Sequence, residues 1–102
     1  GGSPQQMADA CAIALKNLMG LVCDPVGGLV EIPCVKRNVV GAVNALTAAD
    51  MALAGITSAI PADQVIDAMR QVGDGMSTQF KETSKGGIAV TPRGKELADS
   101  LK

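Results

Sequence analysis

No histidine occurs among the 102 residues, there is no tryptophan or tyrosine, and the single aromatic is Phe80. The first absence removes the commonest general base and the commonest zinc ligand, so chemistry that needs an imidazole must recruit one from elsewhere. The second leaves the core to Ala, Val, Leu, Ile and Met, of which Ala and Met favour helix. Excess positive charge is also lacking. Nine basic and ten acidic residues give a formal charge of -1, and no Lys/Arg cluster is dense enough to follow a phosphate backbone, which argues against nucleic acid and anionic membrane as partners. The longest apolar run, Ala52 to Ile60, is broken by Gly55, Thr57 and Ser58 and falls far short of the roughly 20 residues that span a bilayer. Gly1-Gly2-Ser3-Pro4 has neither the basic nor the apolar region of a signal peptide, and three cysteines cannot all pair within one chain. A reducing cytoplasm is the expected location.

What is present is a helix-forming chain long enough for one domain, which should bury roughly 60 to 70% of its unfolded surface. Ser3-Pro4-Gln5-Gln6 offers an N-cap, a first-turn proline and a capping glutamine, followed by Met7, Cys11, Ala14, Leu15 and Leu18 at spacings of three and four. A first helix is expected from about Pro4 to Met19, stopping at Gly20. Val35, Val39, Val40, Val43, Leu46, Ala49 and Leu53 keep a helical period from about Pro33 to Ala54, with Gly55 as the stop. A third helix begins at Ile60-Pro61-Ala62-Asp63, places Val65, Ile66, Met69 and Val72 on an inner stripe, and ends near Gly73 or Gly75. Asp74 to Ala89 is a polar, glycine-rich loop, and Thr91-Pro92 caps a short last helix to Leu101. No strand pattern is better than Gly87 to Val90. The expected fold class is all-α, a small domain of about four helices. Helices one and two carry wide apolar faces that a four-helix unit covers poorly, so another part of a larger protein or a second copy of the chain is the expected cover.

Cys23 and Cys34 lie eleven positions apart across Asp24-Pro25-Val26-Gly27-Gly28-Leu29-Val30-Glu31-Ile32-Pro33. Two prolines and a glycine pair forbid continuous helix there and suit a loop wrapped around a bulky ligand. The spacing alone is a weak metal signal, since zinc sites and bacterial ferredoxins use short Cys pairs. Two buried free thiols are the plain alternative.

The string from Cys23 to Asn38, Cys-Asp-Pro-Val-Gly-Gly-Leu-Val-Glu-Ile-Pro-Cys-Val-Lys-Arg-Asn, resembles the C-D-P-x-G-G-L-V-x-x-P-C-x-x-R-N signature of the iron-sulfur L-serine dehydratases. The resemblance continues through Gly41-Ala42-Val43, Ala48-Ala49 and Met51-Ala52-Leu53 to Lys81-Glu82-Thr83-Ser84 and Gly86-Gly87-Ile88-Ala89-Val90. It covers essentially the whole chain and implies that residues 1–102 are the carboxy-terminal portion of the alpha chain of such an enzyme. It also implies a [4Fe-4S] cluster held by three cysteines, one iron of which acts as a Lewis acid on L-serine to give pyruvate and ammonia, without pyridoxal phosphate. Two of the ligands would be Cys23 and Cys34. The third belongs to a G-C-Q motif upstream of the segment matching Gly1 to Gln6, and a Ser-His-Thr motif of the family lies upstream as well. The fragment alone should then be inactive, and its partners would be the missing upstream alpha region and a beta domain or subunit.

Cys11 falls within helix one on the face of Met7, Ala14, Leu15 and Leu18, and is expected to be core. Asp24 is placed to turn the chain or bond a loop amide. Arg37 and Asn38 are candidates for binding the substrate carboxylate or for closing the first turn of helix two. Lys81, Glu82, Thr83 and Ser84 are candidates for lining a pocket, with Gly86-Gly87 letting backbone amides approach a ligand. The loop from Leu21 to Ile32 shows few anchors of its own and should be poorly ordered without metal. A related cysteine desulfidase and a non-enzymatic helical interaction module are the other readings.

Overall fold

In the computed structural model, which describes residues 1–101, the chain forms four α-helices, α1 (Pro4–Leu18), α2 (Cys34–Leu53), α3 (Ala62–Gly75) and α4 (Pro92–Ser100), joined by loops with three short 3-10 turns. The all-α expectation holds. Gly87–Val90, the best strand pattern in the sequence, is one of the 3-10 turns. Among the described residues the β-structure outside named strands is an isolated parallel bridge between Cys23 and Lys81.

The helix ends follow from their caps. The Ser3 hydroxyl accepts from the Gln6 amide at 3.1 Å while the Gln6 side-chain oxygen accepts from the Ser3 amide at 2.8 Å, which satisfies two donors that α1 would otherwise leave open. Thr91 caps α4 by accepting from the Gly94 amide at 3.0 Å, with Pro92 behind it. At the end of α2 the Ile56 amide donates back to Met51 and the Gly55 amide to Ala52. This closure needs a left-handed residue, supplied by Gly55 at φ 95°.

The chain divides into two compact units, to both of which α2 contributes. The first comprises Gly1–Gly20 and Val40–Asp74. Its buried centre is made of Ala12, Ile13, Ala48, Ala52 and Val65. Alanines at the contact allow close approach of α1 and the later part of α2, close enough for the Asn44 amide to reach the Ala14 carbonyl at 3.0 Å and for Asn17 to donate to Asn44 at 2.9 Å. Asp9, buried on α1, accepts from the Ser58 amide at 3.2 Å.

The second unit comprises Leu21–Val39 and the residues from Gly75 onward. Here α4 lies against the 3-10 turns Val26–Gly28 and Gly87–Val90. Pro25, Val26, Ala89 and Gly94 form its buried centre, with the carboxylate of Asp24 beside them.

Three expected faces need correction. Cys11 is exposed and so is Met7, at 62% of its surface. On α1 the face turned inward is that of Asp9, Ala12 and Ile13. On α3 only Val65 is buried, while Ile66, Met69 and Val72 of the expected inner stripe are exposed. On α2 the buried positions are Ala48 and Ala52, whereas Val35, Val39, Val40, Val43, Leu46 and Leu53 each expose more than half of their surface. The expectation of apolar faces in need of cover therefore stands. No helix among the described residues is long and apolar enough to cross a membrane.

Candidate functional site

Both cysteines of the loop motif belong to the second unit, on different elements. Cys23 sits where the chain runs briefly parallel to residues 80–82. Its amide donates to the Phe80 carbonyl and its carbonyl accepts from the Glu82 amide, each at 2.8 Å. Glu82 and Ser84 adopt positive φ, 66° and 57°, which bends the facing segment away after one pair of bonds. Cys34 is the first residue of α2 and follows the cis Ile32-Pro33 peptide.

Between the two thiols the loop is tied from several sides. The Val26 amide donates to the Ile32 carbonyl at 2.9 Å, closing the loop on itself, and the Ser84 hydroxyl donates to the Pro25 carbonyl at 2.6 Å. Asp24 is 2% exposed, and its two oxygens have separate partners: Oδ1 accepts from the Arg37 guanidinium at 2.6 Å and Oδ2 from the Ile88 amide at 2.7 Å. The same Arg37 nitrogen also donates to the Val22 carbonyl at 3.1 Å. Pro25 and Val26 are fully buried. The expectation of a loop with few anchors is thus corrected: hydrogen bonds and the burial of Asp24, Pro25 and Val26 tie it within this unit.

The glycines of the second loop have a task within the chain. A Cβ on Gly87, where φ is 64°, would come within 2.9 Å of the Asp24 Cβ and carboxyl carbon, and one on Gly86 within 3.1 Å of the Phe80 ring. They make room for Asp24 and Phe80 inside the chain. The amide that Gly87 exposes to a partner is that of Ile88, and the partner is Asp24.

The electrostatics follow from these neighbours. Partial burial pushes the Cys23 thiol up from its ordinary value, and the charges of Glu82, Cys34 and Asp24 add to the rise against the opposing Arg37. Burial alone would raise the Asp24 carboxyl as well, but the Ile88 amide and the Arg37 guanidinium outweigh it and hold the group below the usual carboxylate range.

The structure thus gathers Cys23, Cys34, Asp24, Arg37 and Glu82. Arg37 is committed to Asp24 and Val22, with 37% of its side chain exposed. Lys81 takes part through its backbone, in the bridge to Cys23. Thr83 is exposed and turned to its own loop, donating to the Thr78 carbonyl at 2.8 Å and accepting from the Lys85 amide at 3.3 Å. Asn38 is exposed. Ser84 and Ile88 are structural participants that reading the sequence did not single out for these bonds. Their partners lie 59 and 64 positions away in the chain.

Cys23 and Cys34 are free thiols, both partly exposed. A soft metal group takes such donors as thiolates, and a nearby cationic metal reverses the tendency of a carboxylate neighbourhood to keep a thiol protonated. The donor chemistry fits an iron-sulfur group, but the set is short: among the described residues no three Cys, Asp or Glu are grouped so as to hold an ion.

The family model described as serine dehydratase alpha chain matches residues 1–89. Over 101 residues the chain is 66% identical to the "Probable L-serine dehydratase, alpha chain" of Bacillus subtilis, covering 99% of this chain and 34% of that protein. It is 62% identical over 94 residues to the protein of the same name from Latilactobacillus sakei, covering 92% of this chain and 45% of that one. With the L-serine dehydratase of Streptomyces coelicolor the identity is 50% over 91 residues, covering 88% of this chain and 20% of the relative. The chain therefore spans between a fifth and a half of the length of these relatives.

Proposed function

Since the chain belongs to the serine dehydratase alpha chain family, we propose that it is part of an L-serine ammonia-lyase and that its share of the work is to present Cys23 and Cys34 to a [4Fe-4S] cluster. The observation that carries this reading is that two free thiols, on a loop and at the start of a helix, belong to one compact unit in which Arg37 of the Cys34 helix bonds both residues that flank Cys23. The third cysteine comes from a segment of the alpha chain outside these residues, as does any imidazole, and the segment by itself is inactive. Residues 1–102 are its carboxy-terminal portion in this reading. When bound, the cluster supplies a Lewis acid for the departing hydroxyl of L-serine, and pyridoxal phosphate takes no part.

The chain's own residues have narrower tasks. Asp24 and Arg37 hold the backbone on either side of Cys23. Arg37, whose side chain is 37% exposed, is also the candidate to meet a substrate carboxylate with a positive charge. Glu82 is bonded to the Cys23 carbonyl through its backbone amide and is exposed. Asn38, Lys81 and Thr83 have weaker claims to the substrate. The matched relatives include proteins named as alpha chains and longer ones named simply L-serine dehydratase, which supports a beta portion that is separate in some members and fused in others.

The test is anaerobic iron and sulfide reconstitution of the complete alpha polypeptide, comparing the parent with Cys11→Ser, Cys23→Ser and Cys34→Ser by visible absorption and, with the beta portion present, by pyruvate formed from L-serine. Loss of both signals in Cys23→Ser and Cys34→Ser, with Cys11→Ser unaffected, supports the assignment. Full pyruvate production by all three variants would sink it.

A further inference from the structure

We propose that Asp24 is a positioning residue that sets the separation and direction of the two thiols, acting as one clamp with Arg37. The inference rests on the reading of Cys23 and Cys34 as ligands of a common group, but it is carried by its own geometry. Arg37 lies one turn after Cys34 on α2, and its guanidinium nitrogen holds both residues that flank Cys23, the carbonyl of Val22 and the carboxylate of Asp24. The second carboxylate oxygen is taken by the Ile88 amide, so the Asp24 side chain cannot rotate without breaking one bond or the other. The amide and carbonyl of Cys23 itself are bound to Phe80 and Glu82. Every side of Cys23 except its thiol is held, and the element that carries Cys34 is one of the holders.

A purely structural carboxylate would be expected to bind whichever donors its burial strands. Asp24 instead joins three chain segments at one point: the Cys23 loop, the first turns of the Cys34 helix and the 3-10 turn at Gly87–Val90. The last of these leaves no room for a side chain at Gly87, because the carboxylate occupies that space. Asparagine in place of Asp24 has one accepting oxygen and no charge, so it keeps one of the two bonds and weakens the clamp. Alanine removes it, and Arg37→Ala removes it from the other side.

Two measurements on the complete alpha polypeptide, in a Cys11→Ser background, test this. The first is the yield of the fluorescent Cys23–Cys34 adduct formed by dibromobimane, which fluoresces only when both of its arms have reacted with thiols, with the adduct identified by peptide mapping. The second is the rate at which reconstituted protein releases iron to a chelator, at a temperature where circular dichroism shows every variant folded. Removing groups that orient metal ligands ordinarily costs 10–100-fold in metal affinity. On that scale, Asp24→Ala and Arg37→Ala should lower the adduct yield and raise the iron-release rate by about tenfold or more, with Asp24→Asn between them and the parent. The double variant should be no worse than Asp24→Ala alone, because the two residues form one clamp. Should Asp24→Ala fail to fold, Asp24→Asn and Arg37→Ala carry the test. Parent-like adduct yield and iron release in those two variants would overturn the proposal. If the parent takes up no cluster while the adduct still depends on Asp24 and Arg37, the ligand reading falls and the positioning role stands.

Discussion

The two units of the molecule keep their shape by different means. In the unit of Gly1–Gly20 and Val40–Asp74 the buried residues are mostly small and apolar, Ala12, Ala48 and Ala52 among them, and shape comes mainly from long helices, with Asp9 to Ser58 and Asn44 to Ala14 as added polar ties. In the unit that holds Cys23 and Cys34 the elements are short, and shape comes from hydrogen bonds between side chains and backbone across long sequence separations, Asp24 to Ile88 and Ser84 to Pro25. A contact made by nonspecific dispersion and area burial tolerates replacement by residues of similar volume. A contact made by a buried carboxylate with two assigned donors does not. The candidate chemistry lies in the unit built the second way.

Substitutions in each unit can break or sharpen this contrast. The largest effect is expected from Gly87→Ala, which combines a positive φ with collision against Asp24. It should cost about 3 kcal/mol in denaturant unfolding, and a loss under about 1 kcal/mol would show that the polar unit yields more readily than its hydrogen bonds imply. Ala48→Leu inserts bulk at a position of α2 that is 0% exposed. A loss of about 2 kcal/mol is expected there, and an unchanged midpoint would mean that the alanine contact is not tight. Ser84→Ala removes one bond to the Pro25 carbonyl, for about 1 kcal/mol, with the dibromobimane adduct of the thiols as a more sensitive readout than stability. Smallest is Leu46→Ser on the exposed face of α2, expected within about 0.5 kcal/mol in this chain.

The same contrast explains what could be read without coordinates. Helix positions were legible because their signals are local: Ser3 with Gln6, Thr91 with Pro92, and Gly55 behind α2 each act within a few residues. Inner faces were less so. The periodic stripe on α1 pointed to Met7 and Cys11, but the helix turns Ala12 and Ile13 inward, since alanine at the crossing permits an approach that longer side chains would prevent. The cysteine motif was legible through its resemblance to a family, and Asp24 was rightly suspected of bonding a loop amide. That the amide is Ile88, and that Gly87 is glycine to admit Asp24, depend on a fold that joins positions 64 residues apart. No local pattern encodes such a pairing.

The backbone bonds of Cys23 have a thermodynamic consequence as well. Fixing one residue's backbone costs roughly 1–2 kcal/mol in conformational entropy. With the Cys23 amide and carbonyl already bound to Phe80 and Glu82, folding has met that cost before any ligand arrives. Binding through the sulfur then orders little more than the rotor about the Cα–Cβ bond. If Cys23 is a ligand as proposed, most of the free energy of forming its metal–sulfur bond would be left to appear as affinity, with little of it spent on shaping the loop.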